Sequence, residues 1–432
     1  MFPSEALVLK TRMHKFQPDF YHGILPAIAQ VNVMTNSTDA AQENAARRLG
    51  MKYRFDDEHM DLFFMAALGW GPTGGLDVGQ AFYVAEQIVD GDPDSWVEAF
   101  ATQGHVLDQQ ADEWIAKGWV QSAGEMRLKA FASYRSAWQF AGPGKRFSDL
   151  YALHQRAFSR AIDELELPGT PFEIPWKNAP LPGHYFASPH PDAPVLLVIG
   201  GADTCHEDLF LSVGRTMLNW GYSVALVDLP GQGNTQAHGL CWEAESERPI
   251  AAVIDTLISR FDAKPGKIAL LGLSLGGYFV ARAAGVETRL ATVMASTPLH
   301  NAGQLFARSV GSATDRLSSS QPSPATLRNY MTLFWKAGAR TAEELVTRTS
   351  TMRATPEKVT LPFLSILGAG ESETFTEQAR TWHGSISSEI KTLIELPANT
   401  GADGHCQVNG RLRLAQECRG WLDMIFDREN SK

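Results

Sequence analysis

The chain has 432 residues, which is too long for one ordinary domain and predicts two. Hydrophobic residues make up 44% of it and charged residues 20%, a composition that excludes a disordered chain and an integral membrane protein. The formal net charge of −10 argues against nucleic acid and against an anionic membrane surface as partners.

The chain has four cysteines and no C-x-x-C pair, so their spacing provides no zinc or redox motif. We therefore expect neither a metal nor another cofactor, and cysteines that stay reduced. The first residues lack the unbroken apolar run of a secretory signal, and no apolar run reaches the roughly 18–20 residues that cross a bilayer. These features predict a cytoplasmic protein, either a monomer or a homodimer, whose partner is a small-molecule substrate.

Helical periodicity dominates the first part of the chain, and strand signals are scarce there. Good helix formers, acidic first turns and terminating glycines predict helices over residues 38–49, 56–68, 94–117, 122–138 and 147–165. The third range fits one helix or two, and Ser122 to Glu125 form a capping-box pattern at the start of the fourth. We interpret residues 1–170 as an α-helical cap or lid domain.

The pattern changes after Pro168, where short apolar runs alternate with helical segments. This alternation is typical of a doubly wound, mostly parallel sheet built from βαβ units. The strands are predicted at residues 183–187, 194–199, 222–227, 267–272, 290–296, 363–368 and 390–396. Residues 171–432 are thus predicted to form an α/β catalytic domain. A polar, serine-rich and then helical stretch at about 300–357 is interpreted as an insertion beside the active site.

Ser274 is the strongest candidate for a catalytic residue. It lies in the sequence Gly-Leu-Ser-Leu-Gly, after a predicted strand and before a helix over 275–285 that is rich in small residues. Such a strand–turn–helix holds a serine in a strained backbone position, where the flanking glycines relieve clashes. The nucleophile then lies at a helix N-terminus, and the amide of Leu275 points towards a developing oxyanion.

A serine nucleophile needs a base, which in this type of fold follows the acid near the end of the chain. His405 lies on a loop between the last predicted strand and a helix predicted over 407–426, where a triad base is expected. The acid is expected after the preceding strand, and the loop there contains Glu371 and Glu373 but no aspartate. We favour Glu371 and keep Glu373 as the alternative.

The loop after the strand at 194–199 is expected to supply the second oxyanion donor, from the amide of Gly201 or Ala202. Asp203 is either an acid of the substrate pocket or a cap for the following helix. Gln232 lies in a turn whose structural role is the favoured interpretation, although its side chain could face the substrate. Three aromatic residues of the helical half are candidates for the pocket wall: Tyr21, Phe64 and Trp70.

These motifs together resemble one group of α/β-hydrolases that has a long helical N-terminal domain. The resembling segments are GGADT at 200–204, DLPGQG at 228–233, GLSLGG at 272–277, GAGESE at 368–373, GADGHCQVN at 401–409 and SAGEMRLKAFASYRSAW at 122–138. The group includes FrsA-like esterases, 2,6-dihydroxypseudooxynicotine hydrolase and fungal polyketide-shortening and other secondary-metabolism hydrolases. The chain departs from many α/β-hydrolases in having Glu371 where they carry an aspartate.

The resemblance implies an α/β-hydrolase fold whose helical domain covers the active site. It also implies a serine hydrolase for a medium-sized, partly aromatic or polyketide-like molecule. Such an enzyme would cleave a C–C bond next to a ketone, or an ester or thioester, through an acyl-enzyme. Two alternatives stay open: an acyl-transfer or cyclising enzyme of secondary metabolism that forms a lactam or lactone, and a non-catalytic binding protein on a hydrolase scaffold.

Overall fold

The computed structural model describes residues 52–319 and 322–427. The predicted helix over 38–49 and the pocket candidate Tyr21 lie outside these residues. In the described part of the chain, no helix is both long enough and apolar enough to span a bilayer.

The first half of the described chain is helical, as predicted. Its α-helices are α1 (Glu58–Gly69), α2 (Val78–Ala85), α3 (Pro93–Ala116), α4 (Val120–Trp138) and α5 (Lys145–Glu164). The range predicted as one helix or two is the single helix α3, which has Pro93 in its first turn and Asp92 as its N-cap. The capping box predicted at Ser122 is wrong, because α4 begins two residues earlier and Trp119 occupies its N-cap position without a side-chain bond.

The second half forms an eight-stranded sheet with the strand order β1-β2-β4-β3-β5-β6-β7-β8. The strands are β1 (Gly169–Ile174), β2 (Leu181–Phe186), β3 (Val195–Ile199), β4 (Ser223–Val227), β5 (Ile268–Leu273), β6 (Leu290–Ser296), β7 (Phe363–Gly368) and β8 (Lys391–Leu396). Strand β2 pairs antiparallel with both β1 and β4, and the remaining neighbours pair parallel. The predicted fold class is confirmed. Strand β1 was not predicted, and it crosses the predicted domain boundary at residue 170.

Helices cover both faces of this sheet. They are α6 (Arg215–Asn219), α7 (Glu247–Phe261), α8 (Leu275–Ala284), α9 (Ala302–Ser319), α10 (Pro324–Ala337), α11 (Ala342–Thr349), α12 (Glu373–Ser385) and α13 (Arg411–Ile425). The insertion between β6 and β7 therefore contains α9, α10 and α11, whereas only the last two were predicted. The terminal helix begins at Arg411, four residues later than predicted, because the segment around His405 forms a separate turn.

The two halves of the chain share one hydrophobic core. Side chains of the helical half pack on one face of the sheet, where Phe158 of α5 meets the ring of Phe210 with centroids 5.6 Å apart. A second apolar cluster fills the opposite face. Helix α10 of the insertion also contacts the helical half, since the Arg328 guanidinium donates to the carbonyl of Phe140 at 3.0 Å. The loop after the carboxyl end of β3 also contacts the helical half, since Arg135 donates to the Asp203 carbonyl at 2.6 Å.

Candidate active site

Ser274 occupies a sharp turn between β5 and α8. Its backbone has φ 56° and ψ −121°, and its amide donates to the Ser296 carbonyl of the neighbouring strand at 2.8 Å. The turn requires glycine at two nearby positions. A Cβ atom on Gly276 would lie 2.5 Å from the Gly200 carbonyl oxygen, and one on Gly277 would lie 2.1 Å from the Thr297 carbonyl oxygen. The small residues after Ser274 thus let α8 approach the sheet closely.

The side chains of Ser274, His405 and Glu371 form one chain of hydrogen bonds. The Nε2 atom of His405 lies 2.9 Å from Ser274 Oγ, and its Nδ1 atom lies 2.7 Å from a carboxylate oxygen of Glu371. A carboxylate accepts at Nδ1, so Nδ1 carries the ring proton and Nε2 is free to accept the serine proton. The geometry is that of a nucleophile, a base and an orienting acid.

The acid loop presents Glu371, and not Glu373, to His405. Glu371 is buried, and its second carboxylate oxygen accepts from the Thr297 hydroxyl and from the Gly368 amide. Glu373 is exposed and is the first residue of α12. The structure therefore brings the favoured glutamate to the histidine and places the alternative two residues further, on the surface.

His405 is buried beside the ring of Phe375, whose centroid is 4.6 Å from that of the imidazole. Burial alone disfavours the imidazolium, but the Cys406 sulfur and the Glu371 carboxylate outweigh it and raise the pKa of His405 well above its usual value. Cys406 itself donates its thiol to the Ser296 carbonyl. An imidazolium that is stabilised in this way suits a base that must take a proton from serine.

The expected oxyanion donors lie beside the nucleophile. A Cβ atom built on Gly201 would lie 3.2 Å from Ser274 Oγ, so the backbone at Gly201 passes close to the serine side chain. Leu275 is the first residue of α8, where amide groups have no partner within the helix. The structure thus places Gly201 beside Ser274 and Leu275 at the start of the following helix, and the oxyanion role of the Gly201, Ala202 and Leu275 amides stays a prediction.

Gln232 supports this loop, in agreement with the structural role favoured for its turn, and the alternative that its side chain faces the substrate does not fit its contacts. The side chain is fully buried, and its amide nitrogen donates to the carbonyls of Gly200 and Gly201 at 2.5 and 3.0 Å. Its amide oxygen accepts from the Leu229 amide at 2.8 Å. Because each polar atom of the side chain is already bonded, Gln232 fixes the oxyanion loop from behind.

Phe64 and Trp70, the two aromatic candidates of the helical half that lie among the described residues, are both buried in packing contacts. Phe64 lies inside that half, where its ring contacts those of Phe55 and Phe82. Trp70 is buried between the two halves, and its indole nitrogen donates to Ser212 Oγ at 3.1 Å. Both residues were chosen by their position in the sequence, and the structure assigns them to packing.

A buried charge pair, which the sequence did not reveal, connects the helical half to the oxyanion loop. Arg135 of α4 donates to Asp208 at 2.6 Å and to the backbone carbonyl of Asp203 at 2.6 Å. Its guanidinium also lies 3.9 Å from the ring centroid of Trp138. In the sequence, Arg135 stands out only as an arginine in an otherwise buried part of a helix. This position does not indicate that Asp208 is its partner.

Next to this pair lies a network of histidines and carboxylates. His206 contacts Asp228 at 2.8 Å and Glu207 at 3.3 Å, and its other nitrogen lies 3.0 Å from His184. Burial opposes a charge on His206, yet the two carboxylates raise its pKa to about 9. Burial and the neighbouring His206 charge lower the pKa of His184 to about 3. His206 is therefore the charged ring of the pair and donates from both nitrogens.

Two triplets in this network have the separations of metal ligands: His154, Cys205 and Glu207, and His206, Glu207 and Asp228. Each histidine in these triplets already has a hydrogen-bond partner. The Trp138 indole donates to His154 Nδ1 at 3.2 Å, so the proton of the neutral ring lies on Nε2, the atom that faces Cys205 and Glu207. His206 uses both nitrogens as donors. Hydrogen bonds join His154 to Cys205 and His206 to Asp228, whereas Glu207 Oε2 faces both rings without a hydrogen bond.

Comparison with known proteins supports the resemblance inferred from the motifs. Residues 189–399 match the family described as serine aminopeptidase, S33. The 20-hydroxy-prefusarin hydrolase FUS2 of Gibberella moniliformis is 31% identical over 251 residues, which cover 55% of this chain and 59% of that protein. Hydrolyase poxO of Penicillium oxalicum is 28% identical over 262 residues, which cover 57% of this chain and 62% of that protein. The chain thus spans about three fifths of the length of these curated relatives.

Among solved structures, that of the 2,6-dihydroxy-pseudo-oxynicotine hydrolase is similar with a TM-score of 0.65. The match has 19% sequence identity and covers 83% of this chain and 95% of that chain, so it extends beyond the sheet into the helical half. AbyA5 is similar with a TM-score of 0.54 at 17% identity and covers 74% of this chain and 82% of that one. These likenesses show the fold. Together with the sequence matches and the serine turn, they show that the protein has the α/β-hydrolase fold with a helical N-terminal domain.

Proposed function

We propose that the protein is a serine hydrolase in which Ser274 is the nucleophile, His405 the general base and Glu371 the residue that orients the histidine. The observation that carries this proposal is the pair of hydrogen bonds at 2.9 and 2.7 Å that joins the three side chains. A binding protein would have no need of a strained serine with an imidazole at its hydroxyl. The matched protein FUS2 is also named a hydrolase, which supports this proposal.

The proposed reaction starts when Ser274 Oγ attacks a carbonyl carbon and His405 Nε2 takes its proton. The amides of Gly201, Ala202 and Leu275 hold the resulting oxyanion. The tetrahedral intermediate expels the leaving group, which receives the proton from His405, and an acyl-enzyme remains. Water then attacks the acyl group, His405 takes the proton of the water, and the serine is released.

The proposed substrate is a medium-sized, partly aromatic or polyketide-like small molecule of secondary metabolism. The leaving atom is the carbon next to a ketone, or the oxygen or sulfur of an ester or thioester. The support for this class is the resemblance to the hydrolases named above, among them one that acts on 20-hydroxy-prefusarin. We further propose a cytoplasmic enzyme, monomeric or homodimeric, with no nucleic acid or membrane partner.

Labelling with a fluorophosphonate probe followed by peptide mass spectrometry tests the nucleophile. We expect the wild type to be labelled on Ser274 and the Ser274→Ala variant to stay unlabelled, with Ser296→Ala as a control that keeps its label. An unlabelled wild type would contradict the proposal. Product analysis in ¹⁸O-water then distinguishes hydrolysis, which incorporates one ¹⁸O, from a cyclisation that incorporates none.

A further inference from the structure

The oxyanion loop, residues 200–203, begins with two consecutive glycines, so contacts from outside must hold its shape. A peptide unit is planar, so its carbonyl and its N–H group point in opposite directions, and fixing a carbonyl also fixes the amide of the next residue. Gln232 donates to the carbonyls of Gly200 and Gly201. It thereby fixes the two peptide planes that carry the amides of Gly201 and Ala202, the predicted oxyanion donors.

The other end of the oxyanion loop is held by Arg135, which belongs to helix α4 of the helical half. Its Nη2 atom donates to the Asp203 carbonyl at 2.6 Å, and its Nε atom donates to the Asp208 carboxylate at 2.6 Å. The same carboxylate oxygen accepts from the Cys205 amide at 3.3 Å. One guanidinium therefore joins helix α4 to the last carbonyl of the loop and to the turn that follows it.

Arg135 itself is held in place on all sides. It is buried, and its guanidinium lies 3.9 Å from the ring centroid of Trp138 and 5.6 Å from that of Trp70. Its remaining terminal nitrogen, Nη1, donates to the side chain of Gln139 one turn later in α4 at 2.9 Å. Because a guanidinium presents its donors in a rigid planar fork, these contacts fix where the Asp203 carbonyl can lie.

We propose that Arg135 is a positioning residue for catalysis, which holds the oxyanion loop at the place relative to Ser274 that the transition state requires. The inference rests on the proposed function and adds a residue of the helical half that acts on the reaction without touching the substrate. Gly201 is the point of contact, since a Cβ atom added to it would lie 3.2 Å from Ser274 Oγ. Asp203 follows Gly201 by two residues, so their Cα atoms are at most about 7.6 Å apart.

This role differs from that of a lid. A lid or pocket wall affects those substrates that are large enough to touch it, whereas a displaced oxyanion donor slows every substrate that Ser274 attacks. Even p-nitrophenyl acetate, a small ester, should therefore depend on Arg135. Loss of a donor costs about 100- to 1000-fold and a misplacement of about 1 Å costs about 100-fold, so we expect a decrease in rate of about 10- to 100-fold.

A double variant separates positioning from stability. Arg135→Met together with Asp208→Asn removes the bridge to the Asp203 carbonyl but leaves no buried carboxylate without its cation. The asparagine also keeps an acceptor for the Cys205 amide. We expect this variant to regain most of the thermal midpoint that Arg135→Met alone loses, while kcat/KM for p-nitrophenyl acetate stays about 10- to 100-fold below that of the wild type.

The matched control is Arg127→Met. Arg127 is an equally buried arginine of α4, but its carboxylate partners belong to α3 and α5, within the helical half. Its replacement should lower the thermal midpoint as well, because it also leaves buried carboxylates without their cation. The folded Arg127→Met enzyme should nevertheless keep kcat/KM within about twofold of the wild type, since Arg127 does not hold the oxyanion loop.

Inhibitor affinity provides a readout that a change in stability alone does not alter. With trifluoroacetophenone, Ser274 Oγ adds to the carbonyl carbon, His405 takes the hydroxyl proton, and the ketone oxygen becomes an oxyanion that resembles the transition state. Acetophenone has the same ring but is a much weaker electrophile, so it reports the binding of the uncharged ketone. In the double variant, the inhibition constant of trifluoroacetophenone should rise by the factor that kcat/KM loses, and that of acetophenone should change by less than about twofold.

Three outcomes would overturn the proposal: recovery of kcat/KM once the thermal midpoint is restored, an equal rise in both inhibition constants, or an equal loss with Arg127→Met. If the double variant does not fold, Arg135→Lys replaces it, because an ammonium keeps the charge beside Asp208 but cannot reproduce the fork. An unchanged ratio of the two inhibition constants in that variant would also overturn the proposal. A failure of the proposed function is distinct, since it would leave Ser274 unlabelled by fluorophosphonate.

Discussion

Replacing Glu371 with glutamine tests how the acid controls the tautomer of His405. Glutamine keeps the shape of the side chain but has one acceptor and one donor where the carboxylate has two acceptors. In the structure, one carboxylate oxygen accepts from His405 Nδ1, and the other accepts from the Gly368 amide and the Thr297 hydroxyl. The hydroxyl can rotate to accept a bond instead, whereas the amide of Gly368 can only donate.

The glutamine oxygen is therefore drawn towards Gly368, because an unbonded buried amide costs about 1–3 kcal/mol. Its NH₂ group then faces His405 Nδ1 and favours the tautomer with the proton on Nε2. That tautomer cannot accept the proton of Ser274. This tautomer preference alone lowers the fraction of enzyme in the active tautomer roughly 10- to 100-fold, because 1.4 kcal/mol corresponds to a factor of ten. With the loss of the charge that stabilises the imidazolium, we expect kcat to fall on the order of 10³–10⁴-fold.

The assay is the steady-state hydrolysis of a p-nitrophenyl ester, together with the rate of fluorophosphonate labelling. The matched control is Glu373→Gln, which removes an exposed carboxylate two residues away and should change kcat by less than about threefold. Retention of more than about a tenth of the activity by Glu371→Gln would refute the tautomer argument. A larger loss with Glu373→Gln than with Glu371→Gln would show that the acid is the other glutamate.

Three further outcomes are expected. Ser274→Ala should fold with an unchanged thermal midpoint and lose on the order of 10⁵–10⁶ in turnover, and measurable acyl transfer would contradict the serine mechanism. Only the neutral ring of His405 accepts a proton, and the pKa of this histidine is raised. The value of kcat/KM should therefore increase with pH, with a midpoint above pH 6.5 in a measured pH profile. Arg135→Met leaves the buried Asp208 carboxylate without its cation and should lower the free energy of unfolding by about 3–5 kcal/mol in urea titrations, whereas a neutral effect would mean that the pair is solvated.

The elements that were predicted best from the sequence are those whose structure is determined by their own local residues. The strand before Ser274 is a continuous apolar run and the helix after it consists of small residues, so the turn could be located from the chain alone. The loops that contain His405 and Glu371 were located by their order after the nucleophile. Strand β1 was missed because Gly169, Thr170 and Pro171 look like a turn, and only pairing with β2 makes them a strand.

Contacts between the helical half and the sheet half could not be predicted from the sequence. Trp70 and Phe64 were expected at the pocket because they are aromatic, but core residues of the helical half have the same composition as a pocket wall. Arg135 and Asp208 are 73 positions apart, and no local pattern indicates that they meet. Lys336 was counted within a predicted helix of the insertion, and its complete burial depends on the helical half that covers it.

The buried ions between the halves have a consequence for recombination among related hydrolases. Arg135 and His154 belong to the helical half, whereas their partners Asp208 and Glu207 belong to the sheet half. A chimera that joins this sheet to the helices of another relative would enclose Asp208 without its cation and Glu207 without the neutral imidazole that faces it, unless the donor helices carry the same side chains in register. Viable crossovers should therefore exchange the loop after β3 together with helices α4 and α5. Substrate preference can then change through the remaining surfaces of those helices. The loop after β3 and the buried side chains that hold it would be exchanged together.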